Sequence, residues 1–591
     1  MPTECDVPRR CWQALALLGA VVLAVWGVRC QPPEPALDRG RRDEVENQRG
    51  ALRVPPTGPG SKSGGGTAAR VPSQRAEAGQ ASGKPGEAVP QTGAALYARH
   101  CAACHGERGD GRGIAAPYLY PKPRDFRTGR FRLVSSTNAV PTREDLLQVL
   151  RRGMPGSAML PWNHLPQGEL EALVDEVLNF RRQGVRELVL SIAAENEEEL
   201  SEEEIEEEVA SATTPGEILA APEAVSTPEA VARGAQLYRS AGCASCHGEQ
   251  GKGDGVQKMV DSEGLPARPR DLTRGIYKGQ PEFADVFRRL RLGMPGSAMP
   301  ASPLLNDQQL ADLAHFVLSL STPEAREAAV LRRETITAHR RDTLPDGPDD
   351  PAWERIPAVA VRLVALWWYF DRPEADLHVQ AAHDGRRIAL RLTWRDEAAD
   401  GSAARHEQFA DAAAVQFYGG PQEPFVGMGA RDVLTEVWLW SAGAPLPRVE
   451  EANPRMVVDV YPLSEALANT PEYDRPGTAD ETQAVLGQPA RAVGNPLALA
   501  SRGAASELEA AGPGTLAFRL PVSRQVAAEG VWGDGTWHVA FTRRLATGES
   551  GGLRLRPGRR VSLALALWDG GRAERDGQKQ ISMWQDLVLE P

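Results

Sequence analysis

The sequence predicts a multidomain chain in which two mainly α-helical repeats precede a mainly β, sandwich-like domain. The first observation behind this prediction is an internal repeat: GAALYARHCAACHGERGDG near Gly93 recurs as GAQLYRSAGCASCHGEQGKGDG near Gly234, and RRGMPGSAML recurs as RLGMPGSAMP. The copies lie 142 residues apart at their cysteines and 140 at their last methionines, so they have nearly the same internal length. The second observation is a change of hydrophobic period, from helical in the repeats to alternating after about residue 350.

Both repeats close with an amphipathic helix. Leu170 and Leu310 open runs of apolar residues at positions i, i+3, i+4, i+7 and i+8, and Asn306 is a suitable cap for the second helix. Farther along, 388–394 and 561–567 alternate apolar residues with others, as half-buried strands do. Five tryptophans of this region are expected in its core, because large aromatic residues are more often buried than used to stack on ligands. They are Trp367, Trp368, Trp394, Trp438 and Trp440.

The first residues indicate export. Arg9 and Arg10 precede an apolar stretch from Trp12 to Val28, which is typical of a cleaved signal peptide or of a retained N-terminal anchor. Cys30 suggests lipidation only weakly, because Arg29 stands where a lipoprotein signal has a small residue. We therefore expect the rest of the chain in the periplasm or on the outer face of the cytoplasmic membrane, with membrane attachment through this segment left open.

The charge distribution argues against nucleic acid as a partner. The net charge is −12, and Glu195–Glu208 alone carries ten glutamates and no basic residue. Without that run the chain is nearly neutral and shows no basic face. A block of like charges favours a solvated linker. A docking site for a basic partner cytochrome is the alternative.

Two C-x-x-C-H motifs carry the main functional signal. Cys101 and Cys104 precede His105, and the second repeat has Cys243, Cys246 and His247 in the same places. Two thiols at this spacing lie on one helical turn and can form thioethers with the vinyl groups of a haem, and the following imidazole can bind the iron. The motifs therefore predict two haem c groups. A disulfide or redox-active cysteine pair is the alternative reading.

Both repeats resemble class I cytochromes c. That resemblance implies a methionine as second axial ligand in a late loop, which places Met159 and Met299 on the two irons. Met154 and Met294, inside G-M-P-G, remain the alternative pair. His100 and His164 have no counterpart in the second repeat and are expected on the surface.

An Arg-Asp pair also recurs, in PKPRDF and ARPRDL. Arg124 and Arg270 are candidate contacts for haem propionates, since a guanidinium suits a carboxylate. An ion pair that fixes a loop explains the same pattern equally well.

The C-terminal part carries LRLTWRDEAAD, HEQFADAAAVQF, PFVGMG, VWLWSA and DGQKQISMW, in that order. It resembles the haem-binding γ subunits of ethylbenzene dehydrogenase, dimethyl sulfide dehydrogenase and selenate or chlorate reductases. The resemblance implies one non-covalent haem b between Met428 and Lys579. It also implies two partner subunits, a molybdenum enzyme catalytic subunit and an iron–sulfur subunit.

Lys579 has support of its own. From Pro323 onward the chain has nearly thirty arginines and this one lysine, and only an amine can lose a proton to bind iron. Met456 falls in an apparent insertion, and Met583 would share a strand face with Lys579 and so could not bind trans to it. His383 and His406 are the next candidates.

The function predicted from these residues is electron transfer, without a substrate site of the chain's own. A soluble or membrane cytochrome, or another redox carrier, would accept or supply the electrons. The alternatives are a dihaem peroxidase or oxidase, and a haem-free β-sandwich binding module at the C-terminus. The predicted order of segments is a signal peptide or anchor (1–30), a flexible linker (31–90), cytochrome c domain 1 (91–185), an acidic linker (186–225), cytochrome c domain 2 (226–322), a linker (323–349) and a β-rich haem b domain (350–591) with an insertion at about 444–514.

Overall fold

Each repeat folds into a small helical module, and the chain then passes into a β domain. The computed structural model describes residues 92–367, 376–401, 408–430, 433–442, 505–518, 525–546 and 553–591, all of them in the unit Ala88–Pro591. The predicted export segment and tether, Trp368, His406 and Met456 lie outside these residues.

Module 1 (residues 92–195) and module 2 (residues 228–322) have the same order of helices. Module 1 contains α1 (Gly93–His100), α2 (Ala102–His105), α3 (Arg143–Arg152) and α4 (Gln167–Glu195). After α5 (Glu202–Thr213), module 2 contains α6 (Pro228–Ser240), α7 (Cys243–His247), α8 (Phe283–Leu292) and α9 (Asp307–Ser319), with the short strands β1 (Met259–Val260) and β2 (Pro266–Ala267). A last helix, α10 (Pro323–Ala328), follows.

The predicted closing helices are confirmed as α4 and α9. Leu170 and Leu173 on α4 are buried against Tyr97 of α1, and Leu310 and Leu313 on α9 make the matching core of module 2. The cap predicted for α9 is present, because the Asn306 side chain accepts a hydrogen bond from the backbone N–H of Gln309.

The acidic segment 186–225 was predicted to be a solvated linker, but much of it is helical. Helix α4 continues ten residues past the predicted end of the first domain at 185, to Glu195, and α5 follows after a capping box at Ser201. Ile205 and Val209, one turn apart, are buried on the side of α4 that carries Val185. The glutamates face solvent, and two of them pair with arginines of α4.

The β domain (residues 335–591) is one continuous hydrogen-bonded sheet that folds back on itself. Its strands are β3 (Thr335–Arg340), β4 (Val359–Arg362), β5 (Val364–Ala365), β6 (Asp376–His383), β7 (Arg387–Arg395), β8 (Ala412–Tyr418), β9 (Thr435–Ser441), β10 (Ala505–Ala510), β11 (Ala517–Phe518), β12 (Ala527–Gly533), β13 (Thr536–Arg544), β14 (Arg560–Trp568), β15 (Gln580–Ile581) and β16 (Gln585–Leu589). The order across the sheet is β11-β10-β9-β8-β14-β16-β3-β6-β7-β13-β12. Strand β3 is parallel to both of its neighbours, and the other pairs are antiparallel.

The folded sheet encloses one large core. Alternate residues of β8, β9 and β14 pack against alternate residues of β6, β7 and β13, so the predicted sandwich-like class is confirmed. Trp394, Trp438 and Trp440 are buried there, as predicted. Trp367 differs, because it is only half-buried and stacks on Tyr120 of module 1.

Two segments that were predicted to lie outside the sheet each form one of its strands. Strand β3 comes from the predicted linker 323–349 and lies between β16 and β6. Strand β10 comes from the end of the predicted insertion and pairs along β9; residues 443–504 of that insertion lie outside the described part. Among the helices that the structure describes, every one is too short or too polar to span a bilayer.

Candidate functional site

The first C-x-x-C-H motif begins at the junction of α1 and α2. The backbone N–H of His105 donates to the carbonyl of Cys101 at 2.9 Å, which closes one helical turn around the motif. Tyr97 fixes the end of this turn, because its hydroxyl donates to the Gly106 carbonyl at 2.8 Å. Both thiols, of Cys101 and Cys104, are free and half-buried. One turn therefore presents two sulfurs and an imidazole together, as thioether attachment requires.

His105 is held in the tautomer that can bind a metal. Its Nδ1 lies 2.9 Å from the Arg124 carbonyl, which can only accept, so Nδ1 carries the proton and Nε2 is free for coordination. Its ring stacks on Phe126, with centroids 4.4 Å apart. Burial lowers the pKa of His105 to about 4, so the imidazole is neutral near pH 7.

The second motif repeats this arrangement. The Tyr238 hydroxyl donates to the Gly248 carbonyl at 2.7 Å, and burial lowers the pKa of His247 to about 4. The copies differ at one atom: Nδ1 of His247 has no hydrogen-bond partner among the described residues. Cys243, Cys246 and His247 line a cavity of about 250 Å³.

The two methionine loops have the same backbone structure. In module 1 the Met154 N–H donates to the Met159 carbonyl at 2.9 Å, and in module 2 the Met294 N–H donates to the Met299 carbonyl at 3.1 Å. Met159 packs against the core cluster that also contacts Cys101, and Met299 packs against the one that contacts Cys243. Met294 lines the same cavity as Met299. Packing favours Met159 and Met299, and the choice between the pairs stays a prediction.

The two arginines predicted as propionate contacts have different surroundings. Arg124 is mostly buried and pairs with Glu263 of module 2, 3.0 Å away. Arg270 lines the cavity beside His247 and lies against module 1, where a Cβ on Gly156 would be 2.8 Å from its Nε. Arg124 therefore forms an ion pair between the modules, Arg270 lines the cavity, and both propionate contacts stay predictions.

The prediction of a surface position is wrong for His100. Its side chain is only 9% exposed, because α1 turns it inward onto the Trp162 ring, 4.9 Å between centroids. His164 is exposed, as expected.

Several alanines lie on the face of β8 and β14 that is turned away from the large core. Ala412 and Ala414 on β8 lie opposite Trp568 and Ala566 on the neighbouring β14. Ala564 lies two residues from Ala566 on β14 and therefore on the same face. Val437, Leu439 and Leu508 continue this surface on β9 and β10. We call it the alanine face. All of these residues except Ala566 are buried.

Met428 and Lys579 lie at opposite ends of the alanine face. The Met428 carbonyl accepts from Gly512, and Gly429 packs against Ala510 and Thr435, the residues that pair at one end of β9 and β10. Lys579 is at the other end of the face, with Nζ 4.8 Å from the centroid of the Trp568 ring.

Met428 and Lys579 each have an unusual local environment. Met428 has a φ of 75° in a tight turn, which aims its side chain differently from a strand residue. Lys579 is half-buried, and burial lowers its pKa to about 8. Met428 and Lys579 stay the predicted ligand pair of haem b.

The other candidates are placed elsewhere. Met583 is buried in a cluster with Ile581 and Trp584. His383 is fully buried at the end of β6, next to the β6–β7 turn. Sequence reasoning missed Arg333, whose guanidinium bridges Glu423, in the loop that carries Met428, and Asp586 on β16. No local pattern marks it, because its two partners lie 90 and 253 residues away.

Comparison with known families confirms the resemblances. The family model "Ethylbenzene dehydrogenase" matches residues 350–580, "Cytochrome c" matches residues 231–321, and "Cytochrome C oxidase, cbb3-type, subunit III" matches residues 88–175. The chain therefore has two cytochrome c domains followed by a β-rich domain that matches the ethylbenzene dehydrogenase model.

Relatives support the same class. The chain is 25% identical to "Putative respiratory nitrate reductase heme subunit ORF7" of Haloferax mediterranei over 45% of its length and 75% of that protein. It is 26% identical to the dimethylsulfide dehydrogenase subunit gamma of Rhodovulum sulfidophilum, over 40% of its length and 73% of that protein. A chain of the reducing HAO-like protein complex of Kuenenia stuttgartiensis is 28% identical, with a TM-score of 0.32, over 40% of this chain and 98% of that one. The prediction of an electron-transfer haem protein rather than a catalytic subunit is confirmed.

Proposed function

We propose that the chain is an exported three-haem electron-transfer subunit of a molybdenum oxidoreductase complex. It would hold haem c1 at Cys101, Cys104 and His105, haem c2 at Cys243, Cys246 and His247, and one haem b in the β domain. Haem groups supply reversible one-electron chemistry, and the protein supplies the ligands, the orientation and the local charge.

The position of Met428 and Lys579 across the alanine face is the observation that carries the haem b assignment. Met428 and Lys579 would hold the haem iron, because a thioether and an amine are both able to bind it and these residues lie at opposite ends of the alanine face. The lowered pKa of Lys579 acts in the same direction, because only the neutral amine can bind iron.

Two kinds of support bear on partners and location. The relatives are named as subunits of a nitrate reductase and a dimethylsulfide dehydrogenase, so we propose a molybdenum catalytic subunit and an iron–sulfur subunit as partners. Haem c attachment and the apolar N-terminal segment favour the periplasm or the outer face of the cytoplasmic membrane. A soluble or membrane cytochrome, or another redox carrier, would complete the path.

Haem extraction tests the stoichiometry. Acid–acetone treatment of the holo-protein should remove one haem in three, because haem b is held by coordination alone and the other two by thioethers. A chain that releases no haem would contradict the haem b assignment. A chain that retains fewer than two would contradict one of the C-x-x-C-H sites.

Ferric spectra of the full chain test the ligands. Lys579→Arg and Met428→Ala should each abolish the low-spin haem b signature, since guanidinium does not lose a proton to bind iron. Lys258→Arg, at an exposed lysine of module 2, is the matched control and should change nothing. A low-spin haem b that persists in Lys579→Arg would exclude this ligand.

A further inference from the structure

The cavity at the second C-x-x-C-H motif has a wall from each module. Module 1 contributes Tyr120, Pro121, Lys122 and Arg132 to the lining around His247. The Tyr120 hydroxyl also donates to the carbonyl of Pro266, in module 2. Module 2 therefore does not enclose this site by itself.

Cationic side chains from both modules meet in this cavity. Arg270 and Lys278 come from module 2, and Arg132 comes from module 1. Arg132 lies eight residues after Arg124, and Lys278 lies eight residues after Arg270, so the two occupy the same place in the repeat. The duplicated position thus carries a cation in both copies, and the packing of the modules brings the two cations to one cavity.

Few carboxylates lie near Arg132 and Lys278. Nη2 of Arg132 lies 3.4 Å from Asp261 Oδ2, and its buried Nε has no hydrogen-bond partner among the described residues. The charged groups that act on Lys278 are three arginines, Arg270, Arg132 and Arg124, and one carboxylate, Asp261. Asp285, the other carboxylate of the lining, is 3.8 Å from Arg289. Six lysines and arginines face the cavity with two carboxylates.

Burial makes this excess costly. It lowers the pKa of Arg132 to about 10, and together with Arg270 and Arg132 it lowers the pKa of Lys278 well below its usual value. A buried cation with too few carboxylates around it destabilises a fold. A bound group with two carboxylates would remove that cost.

We propose that Arg132 of module 1, with Arg270 and Lys278 of module 2, binds the propionate carboxylates of haem c2 across the module interface. The inference rests on the proposed function and adds that module 1 completes the haem site of module 2. Arginine matches a carboxylate with two parallel N–H donors, and lysine supplies a point charge beside it.

The cations should also set the midpoint potential of haem c2. Reduction adds one electron to the haem, so nearby positive charge stabilises the reduced form. Removal of one of these charges should shift the potential of haem c2 downward and leave haem c1 unchanged. A purely structural cation at the interface would affect stability without a selective shift of this kind.

The experiment is a spectroelectrochemical titration of the full holo-protein. Arg132→Gln and Lys278→Gln are compared with wild type, with Arg132→Lys as the charge-conserving rescue. Arg108→Gln in module 1 and Lys258→Gln in module 2 are matched controls, because both side chains are exposed and away from the cavity. Haem c2 is identified as the transition that a Cys243→Ala/Cys246→Ala chain lacks.

A lower haem c2 potential in Arg132→Gln and Lys278→Gln, with recovery in Arg132→Lys and no shift in the controls, is the expected result. Loss of haem c2 from Arg132→Gln with haem c1 intact would also support it, because Arg132 lies outside the module that attaches this haem. An unchanged haem c2 potential in both glutamine variants would overturn it. Absence of covalent haem from wild-type module 2 would instead overturn the proposed function.

Discussion

Lys579 shows how one environment can suit a residue to a ligand role. A free lysine at pH 7 needs about 4.6 kcal/mol to lose its proton, about 3.4 pKa units at 1.36 kcal/mol each. Burial lowers the pKa of Lys579 to about 8 and so reduces this cost to about 1.4 kcal/mol. In the proposed haem b site, the iron–nitrogen bond would then have to supply much less free energy for the amine to bind.

Acidification should release this ligand. The neutral amine binds iron, and falling pH protonates it, so the low-spin haem b signature should decline as pH drops below the pKa of Lys579. Coordination itself stabilises the neutral form, which places the midpoint below 8. Ferric spectra of the full chain from about pH 9 to about pH 5 measure the transition, which should be absent from Lys579→Arg. A wild-type signature that does not vary over this range would contradict lysine ligation.

The methionine loops give a second prediction at the residue scale. Met159→Ala and Met299→Ala should each remove the methionine–iron charge-transfer band of one haem c and lower its potential, because a soft thioether favours the reduced iron. Met154→Ala and Met294→Ala are the internal controls, because each lies in the same loop, five residues before the packed methionine. Loss of the band in the controls alone would show that the other methionine of each pair is the ligand.

At the scale of elements, the acidic segment differs most from its sequence reading. Ten glutamates in a run suggest a solvated linker, yet α5 packs through Ile205 and Val209 and is capped at Ser201. Arg182 and Arg186 on α4 neutralise the nearest glutamates, Glu202 and Glu206. Ile205 and Val209, four residues apart, hold α5 against α4. The many glutamates around them made this short apolar pattern difficult to recognise in the sequence.

Ile205→Ala should loosen α5 without reaching the haems. Truncating a buried isoleucine typically costs about 2 kcal/mol or more, and Ile205 is 5% exposed. Hydrogen exchange of Glu202–Thr213 should therefore accelerate, while both haem c spectra stay unchanged. Glu203→Ala removes an exposed charge from the same helix and should leave exchange near wild type. Equal exchange in the two variants would mean that the helix does not depend on this packing.

Local signals predicted the parts of the fold that depend on local structure. The repeats, the C-x-x-C-H turns, the α9 cap and the alternating strands follow from periodicity and short motifs. Strand β3 did not, because six residues between an acidic loop and a turn become a strand only beside β16 and β6. The alanine face likewise required the register of β8 with β14, which no single segment encodes.

At the scale of the whole molecule, module 1 contacts both of the other candidate haem sites. Its Tyr120 lines the haem c2 cavity and donates its backbone N–H to the Leu366 carbonyl at 2.9 Å. The N–H of Leu366 donates in turn to the carbonyl of Lys579, also at 2.9 Å. Tyr118 packs on Gly577, two residues before Lys579. One short segment thus joins the haem c2 cavity to the Lys579 end of the alanine face.

The Met428 end is fixed by the bridge that Arg333 forms. Its guanidinium bonds Glu423 at 2.9 Å and Asp586 at 2.6 Å, and all three side chains are at most 17% exposed. Burial would raise the pKa of Glu423, but hydrogen bonds from Arg333 and Ser562 outweigh it and lower the pKa. The stabilisation from Glu423 is therefore present above the pKa of a free glutamate and is lost as pH falls through the lower folded value.

Arg333→Ala should weaken haem b retention more than any surface change. It leaves two buried carboxylates without their cation, a loss of about 3 to 5 kcal/mol for a buried pair, and frees the loop that carries Met428. Haem b transfer to apomyoglobin should be faster than from wild type, while the thioether-bound haems stay in place. The triple variant Arg333→Ala/Glu423→Gln/Asp586→Asn removes the unpaired charges as well and should recover part of the loss. If the single and triple variants released haem b at the wild-type rate, the loop would not depend on this bridge, and the Met428 ligand would have to be held by the Gly512 contact alone.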